Sequence, residues 1–535
     1  MTAKSKVFGI DLGTTHSCIA HIDDSGRPVV LRNAIGEETT PSVVYFEGPD
    51  DVLVGVSAKN SAIISPHRVA RLVKRRMGTG AKLNFLNRDY SPEEVSALIL
   101  SELARYAEQA TGVPVRDVVI TVPAYFGVGE REATKRAGRI AGLTVLDVVA
   151  EPVAAALHHD SVTPPGDARH VLVCDLGGGT YDTTVIRVEG DEVVVRCTDG
   201  DGGLGGADWD ERVRDHLVER FVEQHPHLDP TADEEFAQET AIKAEQLKKD
   251  LSSVQSQRTE LRFAGVAARV ELTRADLERL TDDLLERVVE VTRRTVEEAR
   301  RLGVGHFDDV LLVGGMTRMP AVARRLRDRL GLVGRLHEPD LAVAKGAALF
   351  AVLKRVGDEP AAHVADQLGM TTEQVESLAA KRVRTVVPRA FGVRSLDPSD
   401  PLSRENPAAA RHIVWHLLHP NTPLPAETKP HPFAIVFPNA PMAEIQVWEQ
   451  KGAVVSEDLS DNTEIGKGFL KKIPPLPAGS PIHITFRMSE TGTLTVRAEE
   501  PASGVDVRFD LEIGGVDEAA VGRSRSMIAR HRVSG

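Results

Sequence analysis

The chain is short of cysteine, of aromatic residues, of positive charge and of long apolar runs, and each shortage excludes something. Three cysteines in 535 residues (Cys18, Cys174 and Cys197), with no Cys-x-x-Cys pair and no His/Cys pair at zinc spacing, argue against a disulfide frame or a structural zinc site. Cys18 and Cys174 lie in apolar strand patterns, where a thiol behaves as a small buried hydrophobe. A net charge of −13 speaks against general binding to nucleic acid or to an anionic membrane surface. No run of roughly eighteen apolar residues is present to span a bilayer. Met1-Thr2-Ala3-Lys4-Ser5-Lys6 leads into a strand with no signal-peptide apolar stretch. The expected compartment is therefore the cytoplasm, with neither nucleic acid nor membrane among the partners. The length is enough for two to four domains.

What the chain does have is one short pattern written twice. Phe8-Gly9-Ile10-Asp11-Leu12-Gly13-Thr14-Thr15 and Val173-Cys174-Asp175-Leu176-Gly177-Gly178-Gly179-Thr180 are each an apolar strand ending in aspartate, then a glycine turn, then hydroxyl residues. A carboxylate at a strand end can hold a hydrated cation, and such a turn bares backbone N–H groups toward phosphate. One copy alone describes many hairpins. Two copies about 160 residues apart suggest two similar lobes facing one nucleotide.

From residue 6 to about 350, strand patterns (29–31, 42–46, 117–121) alternate with amphipathic helices, which argues for α/β lobes. Pro92–Thr111 reads as a helix with Ser91 as its cap and Pro92 in its first turn. Further helices are expected at 130–142, from Glu151 onward, and at 209–224, 233–251, 273–302 and 321–330. Two prolines make 161–167 a joint between lobes 1–168 and 169–355. Residues 356–384 read as a linker with one short helix at 371–381. From Arg389, prolines and glycines separate short runs (433–437, 443–448, 481–488, 493–498, 505–513). Alternation such as Ile482-His483-Ile484-Thr485-Phe486 gives an antiparallel sandwich over 385–515. Residues 516–535, with basic positions between Arg523 and Arg532, read as a solvated tail. His158-His159, at a helix end with no partner at ligand spacing, reads as a solvated pair, and Trp415 and Trp448 as sandwich packing.

Four further segments supply what hydrolysis of a phosphoanhydride needs. Lys74 offers a cation to balance charge or orient water. Glu151 opens a helix beside Pro152. Asp182 follows the second glycine turn and returns to the same mouth. Gly314-Gly315-Met316-Thr317-Arg318 forms a close-approach turn suited to a nucleoside. Singly, a lysine is a solvated side chain and a Glu-Pro pair a helix start; together and in order they point to one site.

With these residues the chain closely resembles the heat-shock seventy-kilodalton chaperone family (DnaK-type). The similarity runs through the two glycine turns, Ile120-Thr121-Val122-Pro123-Ala124-Tyr125-Phe126, the segments 132–143 and 151–157, Leu204-Gly205-Gly206-Ala207-Asp208 and the 313–320 turn, almost without gaps from residue 6 to about 350. The resemblance implies an actin-like two-lobed ATPase domain over 1–355, followed by the β-sandwich. It implies ATP/ADP, Mg²⁺ and an accompanying K⁺ as cofactors, and ATP hydrolysis as the activity. By position, Thr14 and Thr15 would contact phosphates, and Asp11 and Asp175 would hold the metal's water shell. Lys74 would place the attacking water, with Glu151, Asp182 and Thr180 shaping the phosphate environment and Gly177, Gly178 and Gly179 cradling phosphate. Glu245, Lys248, Lys249 and Ser252 would clamp adenosine, closed on the other face by Gly315 and Arg318. Pro123 and Arg131 would transmit the nucleotide state. His16, Ala150, Tyr181 and Met316 depart from the family pattern without removing a required charge, and His16 reads as a polar residue at the cleft rim.

The match thins after residue 389. Ala390-Phe391-Gly392-Val393-Arg394, Glu444-Ile445-Gln446-Val447-Trp448-Glu449 and the run 491–498 resemble the family's peptide-binding β-domain. The implied partners are unfolded or dedicated partner polypeptide, with co-chaperones and a nucleotide-exchange factor. Three departures set the chain apart: a long loop at 395–411 without apolar lips, a linker without a short apolar–acidic motif, and no stretch after the sandwich for a long helical lid. Phe433, Ile435 and Met442 read as core. The expectation is thus an ATP-hydrolysing chaperone without a lid. The alternative is a nucleotide-gated protein serving one dedicated partner, and a sugar-kinase-like activity is disfavoured by the appended sandwich.

Overall fold

The computed structural model describes residues 6–164, 166–452, 454–511 and 518–534. The expectations for residues 1–5, for Ile513 and for the boundary at 515–516 lie outside these. Two six-stranded sheets organise the first 384 residues. In the first, Val7–Asp11 runs antiparallel to His16–Ile22 and parallel to Asp117–Val122. In the second, Arg169–Leu176 runs antiparallel to Tyr181–Glu189 and parallel to Asp309–Val313. The duplicated pattern thus reports a duplicated topology, with both aspartates at the ends of central strands. This is the α/β, actin-like two-lobed class followed by an antiparallel β-sandwich.

Small residues let the lobes meet. Helices Glu151–Val162 and Ala342–Asp358 cross between the sheets and bury Ala154, Ala155, Ala344, Ala347 and Ala348 in one core with strands of both lobes. A β-carbon on Gly346 would stand 1.7 Å from the Ala154 carbonyl oxygen, and one on Gly9 would stand 2.1 Å from the Ala348 nitrogen. The backbones touch at both places, so only glycine fits. Pro92–Thr111 forms as the sequence pattern demands: Ser91 and Glu94 make a reciprocal capping box, and Gly112 closes the helix in the left-handed region at φ 71°.

The stretch 356–384 carries more than one short helix. Ala361–Leu368 and Thr372–Ala379 both fold, burying Val364, Ala365, Leu368 and Val375 in the core between the lobes. Arg382–Arg384 then joins the second sheet, parallel to Glu192–Asp201. Apolar positions spaced one helical turn apart (Val364, Leu368) explain the docking.

Sandwich strands Phe391–Leu396, His412–Leu418, Met442–Gln450 and Asn462–Lys471 face a sheet of Ala426–Glu427, Pro481–Met488, Leu494–Glu500 and Val505–Leu511. Phe391, Val447, Phe486 and Val496 are wholly buried between them. Of three residues expected as core, Ile435 is buried and Phe433 packs half-buried against it, but Met442 lies at the strand start and is 45% exposed. The loop after Phe391–Leu396 folds on Asp397, which accepts from Ser399 N at 2.8 Å and pairs with Arg411 at 3.3 Å.

Two polar stretches expected to be solvated are held by the fold instead. His158 and His159 are only 2% and 3% exposed, stacked with His337 at ring distances of 5.2 and 5.0 Å. His159 meets Asp309 at 3.0 Å, and that acidic partner, distant in sequence, is what makes burial tolerable. The 516–535 stretch holds helix Glu518–Ile528 and strand Arg532–Ser534, which dock on the first lobe rather than fraying. Among the described residues no helix is long and apolar enough to cross a membrane.

Candidate nucleotide site

The two glycine turns lie against one another at the mouth between the lobes. A β-carbon on Gly178 would fall 2.1 Å from Thr15 Oγ1, and one on Gly179 would fall 2.4 Å from Thr14 Cγ2. The second lobe's glycines therefore make room for the first lobe's threonines. Internal hydrogen bonds brace both turns: Gly177 N donates to Thr180 O at 3.0 Å, and Ser42 Oγ to Gly13 O at 2.8 Å. Helix Gly206–Gln224 is tied to the second turn through Gly206 N to Gly177 O (3.0 Å) and Ala207 N to Gly178 O (2.8 Å).

A cavity of about 610 Å³ opens over these turns. Its walls carry Asp11, Thr14, Thr15, Lys74, Glu151, Asp175, Gly177, Gly178 and Thr180 at one end and Glu245, Lys248, Lys249, Ser252, Gly315 and Arg318 at the other. Of the residues singled out from sequence, Asp182 and Gly179 do not line it. Asp182 sits fully buried behind the wall, accepting from Tyr125 N at 3.2 Å, and Gly179 is covered by Thr14 and Arg75. Pro123 and Arg131 lie away from the cavity. Arg131 donates to Phe126 O at 2.9 Å, beside the start of helix Val128–Ile140, where the sandwich makes contact.

Charge is unbalanced at the phosphate end. Lys74 Nζ donates to Glu151 Oε1 at 2.5 Å with both side chains nearly out of solvent. Against this one ammonium stand Asp11, Asp175, Asp182 and Glu151. Burial, reinforced by Glu151, pushes Asp11 up to about 7, against the pull of Lys74 and a 3.1 Å hydrogen bond from Thr121 Oγ1. Burial, then Glu151, drives Asp175 and Asp182 well above the usual carboxylate range. Asp182 Oδ2 is buried without a hydrogen-bond partner. An orphaned oxygen and an excess of buried carboxylates fit a hard divalent cation such as Mg²⁺. Among the described residues, no three His, Cys, Asp or Glu side chains stand close enough to ligate a metal directly. Asp11, Asp175 and Glu151, which line the cavity, are the side chains that would face such an ion.

The other end is a frame of ion pairs on helix Glu234–Leu251. Lys248 reaches Gly206 O (2.9 Å) and Asp210 (2.7 Å), while Glu245 takes Lys249 at 2.7 Å and Lys59 of the first lobe at 2.5 Å. Burial alone would raise Glu245, but Lys59 and Lys249 hold it well below the usual range. His16 lines the same cavity and is lowered to about 4, by burial and then by Lys249, so it is a neutral wall residue.

Three contributors escaped the sequence reading. Arg75 donates through Nε to Gly179 O at 2.9 Å and through Nη2 to Asp208 at 2.6 Å, bridging the lobes beside Lys74. Asp340 receives Arg318 Nε at 3.0 Å and so orients it. Lys59 closes the cleft over Glu245. The run Lys74-Arg75-Arg76 was a visible signal for the first; Lys59 and Asp340 stand in no motif and are found only by contact.

A family model described as Hsp70 protein matches residues 7–90 and 79–368, more than half of the chain and most of the two-lobed body that frames this cavity. The chain belongs to the Hsp70 family.

Proposed function

We propose that the protein is an ATP-binding and ATP-hydrolysing chaperone that engages unfolded or partner polypeptide through its β-domain, in the cytoplasm, with Mg²⁺ and accompanying K⁺ at the phosphate end of the cleft. The carrying observation is the buried ammonium of Lys74, 2.5 Å from Glu151 and sharing one cavity wall with Asp11 and Asp175 beside two interlocked glycine–threonine turns. Thr14 and Thr15 from one lobe and Gly177, Gly178 and Thr180 from the other bind and orient the phosphates. Asp11 and Asp175 would hold the cations through water; the chemistry a bound Mg²⁺ supplies is neutralisation of phosphate charge. Lys74, oriented by Glu151, holds the attacking water in line, and closed lobes exclude bulk solvent. Glu245, Lys248, Lys249, Ser252, Gly315 and Arg318 hold the nucleoside. Positioning and charge are the whole contribution, with no covalent step for the protein.

Lys74→Ala is expected to lower single-turnover ATP hydrolysis by about 100-fold or more while nucleotide affinity changes little. Hydrolysis at the wild-type rate in that variant refutes the role of Lys74.

A second reading, a nucleotide-gated switch for one dedicated partner, draws on the C-terminal helix. Glu518–Ile528, which follows the sandwich, packs on the first lobe and does not cover the β-domain. Stimulation of ATP turnover by many unrelated unstructured peptides supports the chaperone; indifference to all of them supports the dedicated switch. Co-chaperones and an exchange factor belong to the first reading.

A further inference from the structure

The C-terminal segment is anchored by apolar, polar and backbone contacts together. Val521 and Ile528 are buried in the same core as Phe8, Phe46 and Leu98 of the first lobe. Ser524 Oγ donates to Glu94 Oε1 at 2.6 Å, meeting the residue that caps helix Pro92–Thr111. His531, 7% exposed, is 3.1 Å from Tyr90 OH, their rings 5.9 Å apart. Arg532 N donates to Asp50 O at 2.8 Å, and Arg532–Ser534 then pairs in parallel with Asp51–Val54, a fourth strand on a small first-lobe sheet.

The path of the chain gives this docking its consequence. The polypeptide enters the sandwich from Arg382–Arg384, a strand of the second lobe, and after the sandwich is fastened to the first. In between, the sandwich touches both lobes. Asn421 Oδ1 accepts from Thr198 N of the second lobe at 2.8 Å. Glu449, 3% exposed, accepts from Val128 N of the first lobe at 3.2 Å, and Arg389 meets Glu130 at 2.9 Å. The nucleotide cleft lies between these same lobes. Rotation that opens it must move the two fastened ends of the sandwich relative to each other.

We propose that residues 518–534 are a clasp that, docked on the first lobe, ties the sandwich to both lobes and slows the opening through which nucleotide leaves. Two buried aliphatic side chains and three strand pairs make it a small unit, able to detach without unfolding the lobe. Detachment bares the edge of Asp51–Val54 and leaves the sandwich held at its Arg382–Arg384 end and by the Asn421, Glu449 and Arg389 contacts, without the clasp's tie to the first lobe. The proposal rests on the nucleotide reading of the cleft.

The test uses the full-length chain in two forms. Val521→Asp with Ile528→Asp should detach the clasp; hydrogen exchange, measured without nucleotide, should show the amides of 51–54 protected in wild type and exposed in the variant. Release of a fluorescent ADP should then accelerate about tenfold. Ser524→Cys with Glu94→Cys should do the reverse when oxidised, slowing release until reductant is added; the three native cysteines are buried and free. Equal exchange at 51–54 in wild type and variant overturns the docking. Normal ADP binding with unaltered release in both the detached and the cross-linked forms overturns the clasp alone. Failure of the wild-type chain to bind ADP overturns the nucleotide reading and the clasp with it.

Discussion

The two-lobed body and the sandwich are held together by different means. In the lobes, backbone meets backbone: Gly9 and Gly346 stand where no β-carbon fits, and Gly178 and Gly179 receive the threonines of the opposite turn. Buried charge is concentrated there, with Lys74, Glu151, Asp175 and Asp182 all below 9% exposure. The sandwich is packed by side chains, Phe391, Phe486 and Val496 interdigitating between alternating strands. Its buried charges Asp397, Glu449 and Glu500 lie at or just past strand ends, Glu449 at the contact with helix Val128–Ile140. Backbone contact specifies one geometry and tolerates no substitution; side-chain packing specifies a pattern that many sequences can meet.

This contrast breaks most sharply at Gly346. Gly346→Ala, which an isolated helix would favour by about 1 kcal/mol, is expected to cost on the order of 3 kcal/mol or more because the helix crossing cannot open. Gly522→Ala, at an exposed helical glycine with nothing within 4 Å, should instead be neutral or stabilising. Thermal melts of the pair check it, and equal melting temperatures would erase the distinction. Next in size, Phe486→Ala should remove about 3 kcal/mol from the sandwich alone. Calorimetric scans should show its transition falling while nucleotide affinity holds; a parallel loss of affinity would mean that the two regions share one stability.

A smaller effect separates the regions by pH. Burial lowers His158, and burial with His158 and His159 beside it lowers His337 to about 4 from an ordinary value of 6.5. Glu338 and Lys345 also face His158, and Arg335 and Asp309 face His159. An unfolded chain takes up protons between pH 6.5 and about 4 that the folded one refuses, so stability is present above that window and lost as pH falls through it. Asp11, Asp175 and Asp182, raised by burial, act in the opposite sense, so the histidines' share is read as a difference: from pH 7.5 to pH 5 the wild-type body should lose more melting temperature, or gain less, than one without them. His158→Gln with His337→Gln should remove that share and leave the sandwich transition unmoved.

Legibility followed the same divide. The duplicated turns, the cap at Ser91 and the order of strands and helices could be read because glycine and capping residues carry their geometry locally. Asp11 and Asp175 came together in the cleft because each sits at or beside the end of a central strand, and Glu151 joins them from the start of a helix. Arg75 and Asp340 were missed because their roles are contacts with Gly179 and Arg318, made across long sequence separations. His158-His159 looked solvated because the groups that accept them, Asp309 and Glu338, are 150 or more residues away in sequence. The C-terminal segment looked like a tail because Val521 and Ile528 are two apolar residues among arginines; their partners lie in the first lobe, hundreds of residues earlier in the chain.

The central claim is that one nucleotide is gripped by both lobes with a cation lodged among their carboxylates. Titration calorimetry of the full chain with ATP, in Mg²⁺ and then in excess chelator, tests it most directly. The account predicts one site per chain and an affinity that drops severalfold or more when Mg²⁺ is removed. No heat of binding, or the same affinity with and without Mg²⁺, would contradict it.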